Sequence, residues 1–330
     1  MLIVGDIGGT KTLLALYELA GDVGSPVAQM EYPSANYPAL DVMVREFLVT
    51  TKRTARVACF DVAGPVIGGR AHLTNLPWTI DTEALRTDLG LEKVFLLNDL
   101  QATAYAVPQL QPKALHTINA GNPMAHGAIA VIAPGTGLGE AFLVWSESGY
   151  VACSSEGGHA SFAPTHQLQV ALWRYLSDRF GHVSVERVCS GQGIANIYDF
   201  LRDANPAAEV PSFTARLATV TDRTPLISQA GLADPSGNPL AAAALDLFVA
   251  ALADETSNMA LKVLSTGGVY LAGGIPPRIL RKLTDGRFME IFIKKGRFAE
   301  MMRRLPVHIV MEQSALLGAA LYGMDRLRVS

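Results

Sequence analysis

Apolar residues crowd into short blocks along this chain, and many of the blocks stop at glycine. Residues 2–5, 11–18 and roughly 26–31 read as strands, each a short run bounded by turn-forming residues. A helical pattern covers about 39–52, with Asp41 near its start, where a carboxylate suits the helix dipole. Arg56–Gly64 reads as a buried strand, and Pro65 with Gly68-Gly69 turns the chain into a short strand near 70–74. Asp81, with Glu83 behind it, is the expected N-cap of the next helix. Val94–Leu97 is an apolar strand that stops at Asn98-Asp99, and a helix from Leu100 to Ala106 follows. Three strands, helix, strand, helix, strand, helix is the order of an α/β layer on a mixed sheet.

Pro108 and the Pro-, Gln-, Asn- and Gly-rich segment 109–124 mark a boundary. Beyond it come a strand pair around Gly135 and then mostly helical patterns at 165–180, 191–203, 212–220 and 240–265. Gly267-Gly268 is expected to end the last of these. Val269–Ala272 is a strand running into Gly273-Gly274, and residues 312–327 form a final helix able to return to the first domain. The expected organisation is a small α/β domain of 1–108 plus about 305–330, and a larger α+β domain of 109–304.

The strand-to-glycine bends carry the first chemistry. Gly5, Asp6, Ile7, Gly8, Gly9, Thr10 and Lys11 join two apolar runs, and Pro134, Gly135, Thr136, Gly137, Leu138 and Gly139 do so again. Glycine lets backbone approach a ligand closely. Successive N–H groups in such a bend make a concave anion site. The carboxylate of Asp6 would repel a bare phosphate, so a bridging divalent cation is implied. Two such bends, with Gly273-Gly274 as a third close approach, suggest two related halves serving one nucleotide.

Composition narrows the class. The 330 residues are 49% hydrophobic and 17% charged, which suits a two-domain enzyme with a large core and excludes disorder. A net charge of −3 offers no basic face for nucleic acid. No apolar stretch is long enough to span a bilayer, and the N-terminal residues carry no leader pattern. Cys59, Cys153 and Cys189 are too few and too scattered for a disulfide framework or a zinc motif. Buried, inert thiols and a cytoplasmic setting are expected.

A phosphate-loop NTPase fails on residues. Thr10 stands where that pattern needs its last glycine, no lysine follows the second bend, and a helix would have to follow the first. Gly5–Thr10 instead resembles the first phosphate motif of the sugar kinase/Hsp70/actin superfamily. Within it the chain resembles bacterial glucokinases of the type lacking a zinc-binding motif. Thr74–Trp78, Leu97–Leu100, Pro134–Gly139, Ser155–His159, Glu186 with Ser190–Gly193, and Tyr270–Gly274 match in order over nearly the whole chain. The Glu-Gly-Gly-His and Asn-Asp segments are the specific ones.

The resemblance implies a two-domain actin-like (ribonuclease H-like) ATPase fold with a cleft between domains. It implies ATP and Mg²⁺, with Asp6 orienting the ion through water, and a hexose phosphotransferase acting on glucose. It makes Asp99 the base and gives Asn98, Glu156, His159 and Glu186 to the sugar. Gly5–Lys11, Gly135–Gly137 and Gly273-Gly274 fall to the nucleotide. Taken alone, Asp99 also reads as a helix cap, His159 as a solvent-facing residue, and Glu186 as half of a surface pair with Arg187. No zinc is expected, because the cysteine cluster of the repressor/kinase branch is missing. A DNA-binding repressor is disfavoured, since only four residues precede the first bend. The resemblance suggests a homodimer. The alternatives are a kinase for another hexose or N-acetylated amino sugar, or a non-catalytic actin-like nucleotide switch.

Overall fold

The computed structural model describes residues 1–19, 23–73, 76–147 and 149–328. Thr74 and Asn75, which open the expected Thr74–Trp78 segment, lie outside the described residues. The chain forms two compact units: Met1–Gln111, Ser148–Ser154 and Glu312–Ser330, and then Pro112–Glu147 with Ser155–Met311.

In the first unit β1 (Leu2–Ile7), β2 (Lys11–Tyr17) and β3 (Ala28–Pro33) are antiparallel neighbours. Then come α1 (Leu40–Thr51), β4 (Val57–Val62), the small ladder β5 (Arg70–His72) with β6 (Thr79–Asp81), α2 (Thr82–Leu89), β7 (Lys93–Asn98) and α3 (Asp99–Ala106). The sheet order is β3-β2-β1-β4-β7, with β1, β4 and β7 parallel. A strand therefore follows the first glycine bend, and the helix of a phosphate-loop NTPase is excluded.

Alternation along β1 and β4 sends side chains to two faces. Ile3, Ile7, Ala58 and Phe60 pack with Met43, Val44 and Phe47 of α1. Leu2, Val4, Val57 and Cys59 pack on the other face. Asp81 caps α2 as expected, accepting from the N–H groups of Glu83 and Ala84.

The second unit opens with β8 (Leu115–Asn119), inside the segment expected to be a plain boundary. β9 (Ile129–Pro134) and β10 (Leu138–Ser146) flank the second bend; β11 (Gly149–Ser155), next along the chain, belongs to the first unit as far as Ser154. Next come α4 (Gln167–Phe180), α5 (Gly191–Ala204), α6 (Pro211–Leu217), α7 (Thr224–Ala233) and the buried α8 (Pro239–Val263). β12 (Gly268–Leu271), α9 (Leu280–Leu283), α10 (Arg287–Phe292), α11 (Ala299–Arg304) and β13 (Val307–Val310) complete it. Its sheet runs β10-β9-β12-β13-β8, with β9, β12 and β13 parallel.

α12 (Ala315–Arg328) belongs to the first unit, where Ala319, Ala320 and Met324 pack with Leu2, Val4 and Cys59. Gly318 lets α12 approach α3 so closely that a Cβ there would collide with the Ala102 carbonyl. Tyr105 donates to Asp325 at 2.7 Å.

Three details differ from expectation. Val307–Val310 stays with the second unit because it pairs with β12 and β8. The long helix stops at Leu264, left-handed at φ 51°, where Ser265 N–H bonds back to Ala260; the glycine pair lies beyond the stop. Cys153 is half-buried, because it sits on β11, whereas Cys59 and Cys189 are buried.

Candidate active site

Three carboxyls gather in the first unit. Asp6 on β1 is in register with Asp61 on β4, and Val62 is in register with Asn98 at the end of β7. Asn98 caps α3: its Oδ1 accepts from the N–H groups of Leu100 and Gln101 at 3.0 and 3.1 Å. Its Nδ2 donates to the Gly64 carbonyl at 3.0 Å. The capping role weighed for Asp99 thus falls to Asn98, whose amide is committed to its own backbone. Asp99 is the first helical residue, with Oδ1 2.8 Å from the Leu100 N–H.

Burial drives the electrostatics. The Asp99 carboxyl is pushed up to about 6, first by desolvation and further by Asp6, against hydrogen bonds that favour its charge. Asp6 is also raised by burial. Asp61 stands well above the usual carboxylate range through burial and the like charges of Asp6 and Asp99. It is fully buried, no N–H or hydroxyl among the described residues donates to either of its oxygens, and the carboxyl it shares a proton with is that of Asp6. Sequence reasoning missed Asp61. The signal was one carboxylate inside the apolar run Val57–Val62, all of it buried.

The first bend is tight and tied down. Gly8 N–H bonds to the Lys11 carbonyl at 3.0 Å, and a Cβ on Gly8 would come within 2.8 Å of that oxygen. The buried Ser34, another residue that sequence reasoning missed, donates to the Gly8 carbonyl at 2.7 Å and, through its N–H, to that of Thr10 at 3.1 Å. The N–H groups of Gly9 and Thr10 point at no acceptor among the described residues. Ile7 packs in the core, so only its backbone borders the bend. Lys11 lies on the surface, paired with Glu31 at 2.8 Å.

The second unit assembles the rest. Gly135 N–H bonds to the Gly137 carbonyl, and the Gly135 carbonyl accepts from Gly191 at the start of α5, both at 2.8 Å. Gly273, at φ +81°, lies against Pro134: a Cβ there would stand 2.7 Å from the Pro134 oxygen. Gly135, Thr136, Gly137, Gly273 and Gly274 are therefore one surface.

Next to it, His159 lies 3.9 Å from Glu156 and 4.0 Å from Glu186. Backbone bonds explain the grouping: Phe162 N–H reaches Val183 and Val185 N–H reaches Ala160, both at 2.9 Å. His182 Nε2 meets the His159 carbonyl at 3.1 Å. Glu186 Oε2 accepts from Leu138 N–H at 2.9 Å, joining the second bend to this cluster. Glu186 makes no pair with Arg187, whose guanidinium lies over Phe180 at 4.2 Å.

Among the described residues no three His, Cys, Asp or Glu side chains are placed so that together they could hold a metal ion. One carboxylate beside a phosphate bend fits an ion that keeps most of its water, as Mg²⁺ does. Asp6, beside the donors of the first bend, has that chemistry.

A glucokinase from an Antarctic psychrotroph matches this structure with a TM-score of 0.85 at 32% identity, over 98% of both chains. A ROK family glucokinase from Streptomyces griseus, solved with glucose and AMPPNP, shares the fold with a TM-score of 0.63 at 18% identity, over 98% of this chain and 99% of that one. The repeated sheets, their bends and these likenesses define a two-domain sugar kinase of actin-like fold. A family model described as glucokinase matches residues 3–326. The glucokinase of Nostoc punctiforme is 40% identical over 97% of this chain and 98% of its own. That of Neisseria meningitidis is 37% identical over 98% and 94%. The chain belongs to the glucokinase family.

Proposed function

We propose that this protein transfers the γ-phosphoryl group of ATP to the 6-hydroxyl of D-glucose, giving glucose 6-phosphate and ADP. The observation that carries the reading is Asp99: a carboxyl at the end of a parallel strand, relieved of capping by Asn98 and tuned to about 6. Ligands of open α/β sheets bind beyond such strand ends. At that value the group is ionised at neutral pH yet basic enough to draw a proton from a hydroxyl as it attacks phosphorus.

Glu156, His159 and Glu186 offer hydrogen-bond partners to a neutral sugar, which has no charge to grip. Selectivity then rests on polar groups left unpaired by a wrong sugar. The free N–H groups of Gly9 and Thr10 serve the phosphates, and Gly135–Gly137 and Gly273-Gly274 give the nucleotide close backbone. Mg²⁺ held near Asp6 through water would neutralise phosphate charge. Most of the rate enhancement is positioning and charge stabilisation. The same proposal includes a cytoplasmic setting and a homodimer.

A panel of hexoses and N-acetylated amino sugars, assayed for ADP release with ATP and Mg²⁺, tests it. Glucose should give the highest kcat/KM. A panel in which another sugar leads, or none reacts, overturns the reading.

A further inference from the structure

Behind the Glu156–His159 turn lies a carboxyl that this reaction does not use. Glu140 leaves the second bend on β10 and is 2% exposed. Its Oε1 meets no donor among the described residues. Its Oε2 occupies the space where a side chain at Gly157 would begin, so a Cβ built there collides with it. The carboxyl therefore lies directly beneath the turn, and glycine at 157 is what admits it.

A buried carboxylate with an oxygen that meets no donor is costly, and the group responds by holding its proton. Burial, and then the charge of Glu255, push Glu140 up to about 7; Lys262 alone opposes this. The groups facing it are few. From α8 come Glu255 and Lys262, joined to each other at 3.5 Å, and Asp254 beside them. Cys189 faces it from the segment before α5, its thiol kept protonated by burial. On the turn side Glu140 meets Gly157, whose neighbours Glu156 and His159 lie 3.9 Å apart, with Glu186 4.0 Å from His159.

We propose that Glu140 is a positioning residue for the sugar turn, and that the turn closes best on sugar when this carboxyl is neutral. The proposal rests on the sugar-kinase reading above. Sugar held by Glu156 and His159 covers the turn and removes remaining water from above Glu140. The bound state then favours the neutral carboxyl more strongly than the free enzyme does. Sugar affinity is constant on the acid side of about pH 7 and weakens above it, by at most roughly tenfold per pH unit. Turnover at saturating sugar is untouched, because Glu140 meets no reacting atom.

The test is calorimetric titration of glucose into the full chain without nucleotide, from about pH 6 to about pH 9, in two buffers of unlike ionisation enthalpy. The wild type should show a Kd that rises above neutrality, with net proton uptake there. Glu140→Gln, neutral and similar in shape, should show a flat Kd and no uptake. Glu255→Gln should move the onset of the rise to lower pH. A wild-type Kd independent of pH, or uptake that persists in a folded Glu140→Gln, overturns the inference. The wild-type measurement decides even if the variant fails to fold. A protein that phosphorylates glucose without such uptake defeats this inference only; one that phosphorylates no sugar defeats the reading beneath it.

Discussion

The first unit follows its hairpin β1–β2 with parallel β4 and β7, and the second follows β9–β10 with parallel β12 and β13. At the ends of β1, β4 and β7 stand Asp6, Asp61 and Asn98-Asp99. The corresponding ends of β9, β12 and β13 carry Pro134, Leu271 and Val310, with glycine close behind the first two. One plan therefore serves two chemistries. The first unit concentrates negative charge where desolvation tunes it. The second offers close-lying backbone and a polar turn, and keeps a buried carboxyl, Glu140, behind the surface. Repeating a sheet repeats the geometry of the bend, while the residues at the strand ends decide what the bend is for.

The contrast breaks most readily at Asp99. Asp99→Asn should lower kcat by about 10²–10⁴-fold, the usual worth of general-base help, with the glucose Kd retained. In the wild type, kcat/KM should fall by roughly tenfold per unit on the acid side of about pH 6, because the base must be ionised. Near-normal turnover by Asp99→Asn would take the proton chemistry out of the first unit.

The second unit's share is tested by Glu156→Ala and His159→Ala. Each should raise the glucose KM about 10- to 100-fold, from one or two lost hydrogen bonds, and barely move the ATP KM. An unchanged glucose KM in both would leave the sugar without a home in the turn.

Asp61 sharpens the comparison through stability. Its folded carboxyl holds a proton well above 3.8, where the unfolded chain releases it. Stability is therefore fully present below that ordinary value and is lost as pH rises toward the folded one. Without Mg²⁺ or nucleotide, Asp61→Asn should match the wild-type Tm near about pH 4 and exceed it by a few degrees near about pH 8. A lower Tm throughout would show that the acid is held by a favourable contact.

The smallest effect is expected at Lys11. Its partner is Glu31 and both side chains are more than half exposed. Such pairs are worth about 0–1 kcal/mol. Lys11→Ala should leave the ATP KM within about twofold; a large rise would bring this lysine to the phosphates.

Punctuation made much of this legible. Glycine between apolar runs marked both bends, and Asn98-Asp99 stood out by ending a strand. Asp61 and Glu140 hid for one reason: a single acid within an apolar run looks like a solvent-facing break, and only packing reveals that it is enclosed. Asn98 was given to the sugar by resemblance, yet the αN-terminal N–H groups of α3 claim its oxygen first. β8 was missed because its half-buried residues, Leu115–Asn119, lie among turn-formers and draw their order from pairing with β13.

The Gly318–Ala102 crossing has a consequence for how the molecule is made. Tyr105 and its partner Asp325 are separated by 220 positions, so a ribosome finishes the Asp99 helix long before the element that braces it. A nascent chain that has passed Glu186 but not yet reached α12 owns both glycine bends and the sugar turn but no braced acid. Readiness to spend nucleotide would then arrive late in synthesis, and abortive fragments would be poor consumers of ATP.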